Sequence, residues 1–218
     1  MHQAQAESTA LKLVALQPLD RPNLVAERAV LDLAFARAGL QYTLDYNPAE
    51  RALQAFIKGN FDGDINRVAT FHHIYPEAIR VEPHIQSGFF FAMGRGKRPQ
   101  PASWDGLADG RVAYVRGYRS IELRMPPSAK REVVSSETAC LSMAALGRVD
   151  WCVLGADTRA EWPLQARFGE QLSGSLIDSV NVHIWLGPQH KLAAERLSKA
   201  LDEMEKSGEL QRMMAPYR

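Results

Sequence analysis

The chain has 218 residues, with 26 Lys+Arg against 25 Asp+Glu for a formal charge of +1, 46% hydrophobic residues and two cysteines. A chain of this length buries about 70% of its unfolded surface and needs neither a disulfide framework nor a structural metal to fold. Mixed charges with a near-zero balance give no basic footprint for nucleic acid or anionic lipid, and the longest apolar run, Gly88 to Met93, is far too short to span a membrane.

Ala4-Gln5-Ala6 is an A-x-A triplet of the kind that precedes signal-peptidase cleavage, and an ordinary frayed terminus is the other reading. Leu11 to Leu16 reads as a buried strand, followed by a loop with prolines at 18 and 22. Asn23 is placed as the N-cap of a helix whose Leu24, Leu31, Phe35 and Ala38 share one face, closed by Gly39. Leu40 to Tyr46 alternates as a strand. Asn47-Pro48-Ala49-Glu50 supplies a cap, an N1 proline and an N3 acid for a second helix ending at Gly59. Phe61 to Val68 is a third strand, 72 to 83 is polar and irregular, and 85 to 93 is apolar again.

Gly94 to Pro101 is basic, rich in Gly and Pro and without an apolar residue, so it is expected to cross between two lobes. Beyond it the alternation restarts: strand Arg111 to Val115, a short helix from Ser120, strand Arg131 to Val134, helix Ser136 to Leu146 closed by Gly147, and strand Val149 to Leu154. Val180, Val182, Ile184 and Leu186 alternate with Asn181, His183 and Trp185 in a late strand. Residues 191 to 206 form an amphipathic helix with Leu197, Leu201 and Met204 inward. Such order predicts an α/β fold with mainly parallel sheets flanked by helices. Cys140 and Cys152 fit no zinc or redox spacing and read as small core residues, with a bridge in an oxidising compartment as the alternative.

Common enzyme motifs are absent: no P-loop, no GxGxxG opening a helix, no GxSxG and no HExxH. Arg111 to Ser120 has the strand, glycine and helix start that place free N–H groups around Gly117, beside Arg116, in a geometry suited to an anion. Asn66 and Arg67 fall at the carboxyl end of the third strand, where open α/β sheets hold ligands, and Arg67 is the first candidate to grip a carboxylate with two hydrogen bonds. His72-His73, with Asp62, Asp64 and His84 nearby, reads as solvent-facing rather than as a metal site.

Several segments resemble one family, the periplasmic solute-binding proteins of ABC transporters, in particular the type 2 group of polar amino-acid receptors. They are Gly59-Asn60-Phe61-Asp62-Gly63, Pro83, Trp104 to Val112, Ala144 to Asp150 and Ser207-Gly208-Glu209-Leu210, in the family's order from about residue 10 to 215. The resemblance implies a two-lobed fold with two crossing segments, lobe one being 10–93 plus 187–218 and lobe two 94–186. It implies a non-enzymatic protein that takes a small polar or anionic solute into a cleft between the lobes. Ligand contacts are expected from Gln17, Asn66, Arg67, Phe89, Arg116, Gly117, Tyr118 and Asp157, with Trp185 as a further stacking candidate. No metal, cofactor, nucleic acid or membrane insertion is implied. The expected setting is the periplasm, with a membrane permease as partner and a monomeric state.

Two departures bear on the ligand. The family's carboxylate-clamping arginine aligns with Phe71-His72-His73-Ile74, which has none, and Asp157 lies two positions from the family's amine-binding aspartate. An organic anion or aromatic acid is therefore as fitting as an amino acid. The alternatives are a ligand-sensing module of a signalling protein and an enzyme resembling cyclohexadienyl dehydratases, for which Glu122 or Asp157 would be the acid.

Overall fold

The computed structural model describes residues 10–16, 19, 22–96, 99–156, 168 and 171–215. The chain divides into two compact units. Among the described residues, unit 1 takes the chain as far as Ile85 and again from Val182, and unit 2 is the stretch Gln86–Asn181. Among the described residues the chain therefore passes between the units twice, at 85/86 and at 181/182.

In unit 1 the strands β1 (Leu11–Ala15), β2 (Tyr42–Tyr46) and β3 (Gly63–Val68) pair in parallel in the order β2-β1-β3. The end of β9 (Leu172–Leu186) lies antiparallel to β3 and to the short β4 (Ile79–Arg80). Helix α1 (Pro22–Ala38) buries Leu24, Leu31, Phe35 and Ala38 as its periodicity predicts. It opens at Pro22, one residue before the expected cap. Helix α2 (Ala49–Ile57) starts later than expected because the Asn47 N–H pairs with the Ala15 carbonyl, which keeps Asn47 extended beside β1, and Pro48 takes the cap position. The helices α5 (Lys191–Lys206) and α6 (Glu209–Met214) return to unit 1 and pack on α1, with Leu197, Leu201 and Met204 wholly buried.

In unit 2 the strands β6 (Arg111–Val115), β7 (Lys130–Val134) and β8 (Trp151–Ala156) pair in parallel in the order β8-β6-β7, with β7 at the edge. Strand β5 (Gln86–Arg95) runs antiparallel beside β8 and takes the first part of β9 on its other edge. Helix α3 (Arg119–Arg124) follows β6, and α4 (Glu137–Ala145) is capped by Ser136, whose Oγ accepts from the Ala139 N–H at 3.2 Å.

Three expectations are corrected here. The basic stretch after 94 does not carry the chain between units, because β5 already belongs to unit 2. Its described residues are instead stitched along β9: Gly96 N–H to the Gln171 carbonyl at 2.9 Å, Gln100 Nε2 to Ser173 Oγ at 2.7 Å, and Ser175 Oγ to the Pro101 carbonyl at 2.6 Å. The divisions thus fall at 85/86 and 181/182 rather than at 93/94 and 186/187. Second, residues 182 to 186 do not alternate between core and solvent. All five are buried, His183 and Trp185 included, since this end of β9 is covered on both faces.

Third, Cys140 and Cys152 form a disulfide between α4 and β8, with Cα atoms 5.4 Å apart and both side chains wholly buried. Apolar neighbours suit a buried bridge as well as two thiols, so composition alone left the choice open.

Candidate functional site

Strand β3 ends in a network rather than a free cation. The Arg67 guanidinium turns inward: Nε donates to Asp64 Oδ2 at 2.7 Å, Nη2 to the Ala49 carbonyl at 3.4 Å, and the group lies 5.3 Å from the centre of the Phe71 ring. Only 6% of Arg67 is exposed and none of Asp64, so this is a buried ion pair. Residues three apart on a regular strand face opposite sides of a sheet, but β3 carries a bulge between Asp64 and Arg67 that brings both to the same side. The Arg67 charge, expected to grip a ligand carboxylate, is met here by Asp64.

Asn66 is likewise engaged. Its Nδ2 donates to both carboxylate oxygens of Glu27 at 3.0 and 3.1 Å, and its Oδ1 accepts from the Leu16 N–H at 3.3 Å. It ties the end of β1 to α1. Glu27 is fully buried and escaped notice in the sequence, although the signal was there: it stands three residues after Leu24 and four before Leu31, within the apolar stripe of α1.

Trp185 belongs to the core beside Phe71, with ring centres 5.2 Å apart, and its Nε1 donates to the Arg67 carbonyl at 3.3 Å. Phe89 is buried on β5 opposite Ala156. Neither ring is left exposed as a stacking surface. His72 and His73 are exposed, as expected, and His72 Nδ1 lies 2.9 Å from the Ala69 carbonyl. Among the described residues no group of three or more His, Cys, Asp or Glu could hold a metal. Gln17 and Asp157 lie outside the described residues.

The turn after β6 keeps the arrangement that its sequence predicts. Gly117 is buried with φ of 89°, a left-handed conformation that a side chain would strain. The Arg116 N–H pairs with the Val134 carbonyl at 2.9 Å and the Tyr118 N–H with the Val115 carbonyl at 3.3 Å, whereas the Gly117 N–H has no acceptor among the described residues. Arg116 itself is exposed. Tyr118 is half-buried and its hydroxyl lies 3.3 Å from Glu137 Oε1 on α4. Two groups able to meet an anion, a backbone N–H and an exposed guanidinium, thus stand on adjacent residues. Glu122, the acid considered for an enzyme, is paired with Arg119 at 2.5 Å.

Solved structures align with the chain over almost its whole length. An arginine third transport system periplasmic binding protein from Legionella pneumophila is 13% identical, with a TM-score of 0.71 over 96% of this chain and 99% of that one. The fold is that of the two-lobed periplasmic binding proteins. The same periplasmic-binding-protein fold also serves in signalling proteins. The periplasmic VFT2 domain of Bordetella pertussis BvgS aligns at 19% identity and a TM-score of 0.69, over 98% of this chain and 95% of its own. A histidine kinase sensor domain with similarity to periplasmic binding proteins aligns at 14% and 0.70, over 96% of each chain. No protein-family model matches the chain, and no curated protein does.

Proposed function

We propose that this protein is a non-enzymatic solute-binding protein that captures a small polar or anionic solute outside the cytoplasm and hands it to a membrane ABC permease. One observation carries the reading: an alignment over 96% of this chain and 99% of a transport-system binding protein, with both units included. The buried Cys140–Cys152 bridge supports an oxidising compartment, where such bonds persist. No helix among the described residues is long and apolar enough to cross a membrane.

Within unit 2 the anion-binding group is assigned to Arg116-Gly117-Tyr118. Arg67 has no part in it. The test is a thermal-shift and calorimetric screen of organic acids, amino acids and polyamines, since a solute that binds only the folded chain raises its melting temperature. A rise with one class of acid is expected, reduced in Arg116→Ala and retained in the more conservative Arg116→Lys. Silence across the panel overturns the reading.

The BvgS domain and the histidine kinase sensor domain favour a second reading, a ligand-sensing module. Copurification with a permease from a cross-linked envelope fraction supports transport. Fusion of the open reading frame to a kinase or cyclase supports sensing.

A further inference from the structure

Both passages of the chain between the units run through one patch of unit 1. The residues before the first passage lie along those after the second: the Val81 N–H donates to the Ile184 carbonyl at 2.9 Å and the Ile85 N–H to the Val182 carbonyl at 3.1 Å. His183 sits between these two hydrogen bonds. Its side chain is buried, and its Nδ1 is 3.3 Å from both the Val81 carbonyl and Glu82 Oε2.

The charges around it are unevenly arranged. Glu82 also pairs with Arg80 of β4, Oε1 to Nε at 2.5 Å, so its negative charge is shared. His84 follows the cis Glu82–Pro83 bond and faces His183 edge-on at 6.0 Å between ring centres. On β3 the cross-strand partner of His183 is Arg67, whose guanidinium is neutralised by Asp64. Helix α5 contributes the uncharged Ser198 Oγ, which accepts from the Glu82 N–H at 3.1 Å.

We propose that His183 makes the pairing of the two passages sensitive to pH, firm near neutrality and loosened in mild acid when the buried imidazole takes up a proton. A neutral imidazole with its proton on Nδ1 donates to the Val81 carbonyl and asks little of its apolar surroundings. A cationic one must be accommodated in a buried position beside Arg80 and His84, with a counter-ion already engaged elsewhere.

The direction of titration agrees. Burial pushes His183 down from its ordinary value of 6.5, Glu82 and the Val81 carbonyl pull it up, and Arg80 and His84 lower it further. A value depressed by folding means that the unfolded chain binds this proton more readily. The contribution of His183 to stability is complete above 6.5 and is lost as pH falls through the folded value.

The test combines NMR titration of the His183 ring with hydrogen exchange at the Val81 and Ile85 amides, read as protection factors from about pH 7.5 to about pH 5 so that intrinsic exchange chemistry is removed. His183 is expected to titrate below the free value, and protection at both amides to fall severalfold across the range. His183→Asn keeps a donor near the Nδ1 position and has no proton to gain, so its protection should stay flat. Glu82→Gln removes the counter-ion and should move the wild-type midpoint to lower pH; since Glu82 is half exposed, this second variant serves if His183→Asn fails to fold. Titration of His183 at or above the free value, pH-independent protection in the wild type, an unchanged fall in His183→Asn, or an unmoved midpoint in Glu82→Gln would each overturn the proposal.

Discussion

The two units share a plan of parallel strands and flanking helices, yet different chemistry holds each together. Unit 1 buries ionisable groups: Glu27, Asp64 and Arg67, with the neutral imidazole of His183, lie inside it, held through Asn66, Glu82 and backbone carbonyls. Unit 2 has the only disulfide of the chain, and its two core clusters are apolar, built around Phe90, Tyr114, Trp151 and Val153 on one side and Leu141, Leu154 and the bridge on the other. Buried ion pairs depend on every partner remaining in place, whereas a covalent link works chiefly by restricting the unfolded chain. Unit 1 should therefore be vulnerable to changes of charge and unit 2 to reductant.

Asp64→Ala should strike hardest. It leaves the Arg67 guanidinium buried with no counter-ion and removes the acceptor of the Asn66 N–H, at a cost of about 3–5 kcal/mol. Urea denaturation would read the loss, and hydrogen exchange by mass spectrometry should place it in unit 1. Equal deprotection of both units would break the contrast.

Removing the bridge comes next. Cys140 and Cys152 close a loop with a sequence separation of 12, for which loop-closure entropy gives about 3 kcal/mol. The double Cys→Ala variant, or the wild type unfolded and refolded under reductant, should lose protection in α4 and β8 while β1 to β3 keep theirs. A buried bridge should also resist reductant until unit 2 opens, so a rapid reaction in the native state would count against it.

Gly63→Ala tests packing in unit 1 without touching charge. A Cβ there would lie 2.7 Å from the Trp185 carbonyl and 2.5 Å from Leu186 Cδ2, forcing β3 and β9 apart at a cost of about 1–3 kcal/mol. Ser136→Ala in unit 2 should be the mildest of the four. It removes the cap of α4 and should cost about 1 kcal/mol, measurable as a small shift of the urea midpoint.

Much of the scaffold was legible because it rests on periodicity and punctuation. Helix α5 and strand β6 have the bounds that their patterns predict, and Leu24, Leu31, Phe35 and Ala38 are the buried stripe of α1. What escaped depends on contacts between distant segments or on local irregularity. The first half of β9, Leu172 to Ser179, is rich in Ser, Gly and Asp and has no apolar alternation to announce it; its order comes from pairing with β5 and from Gln100 and Pro101.

The candidate site was less legible for the same reason. Position on a strand correctly placed Arg67 at the end of β3, but a bulge turned its side chain toward Asp64, and no spacing rule foretells a bulge. The Gly117 turn fared better, because its conformation is set by a residue type and its immediate neighbours. Asn66 reads as a polar strand end in isolation; its partners, Glu27 and Leu16, are far from it along the chain.

Strand β9 also sets an order of events during synthesis. Among the described residues unit 2 is a single stretch, so all of its described strands have been made once Asn181 has emerged. Unit 1 begins first and finishes last: β1, β2 and β3 must wait for Val182 to Leu186 to pair with β3, and α1 must wait for α5 and α6. At about 5–20 residues per second the ribosome leaves the early half of unit 1 without its partners for several seconds or more. During that interval the apolar face of α1 and the free edge of β3 are the parts of the nascent chain on which a holding chaperone would act.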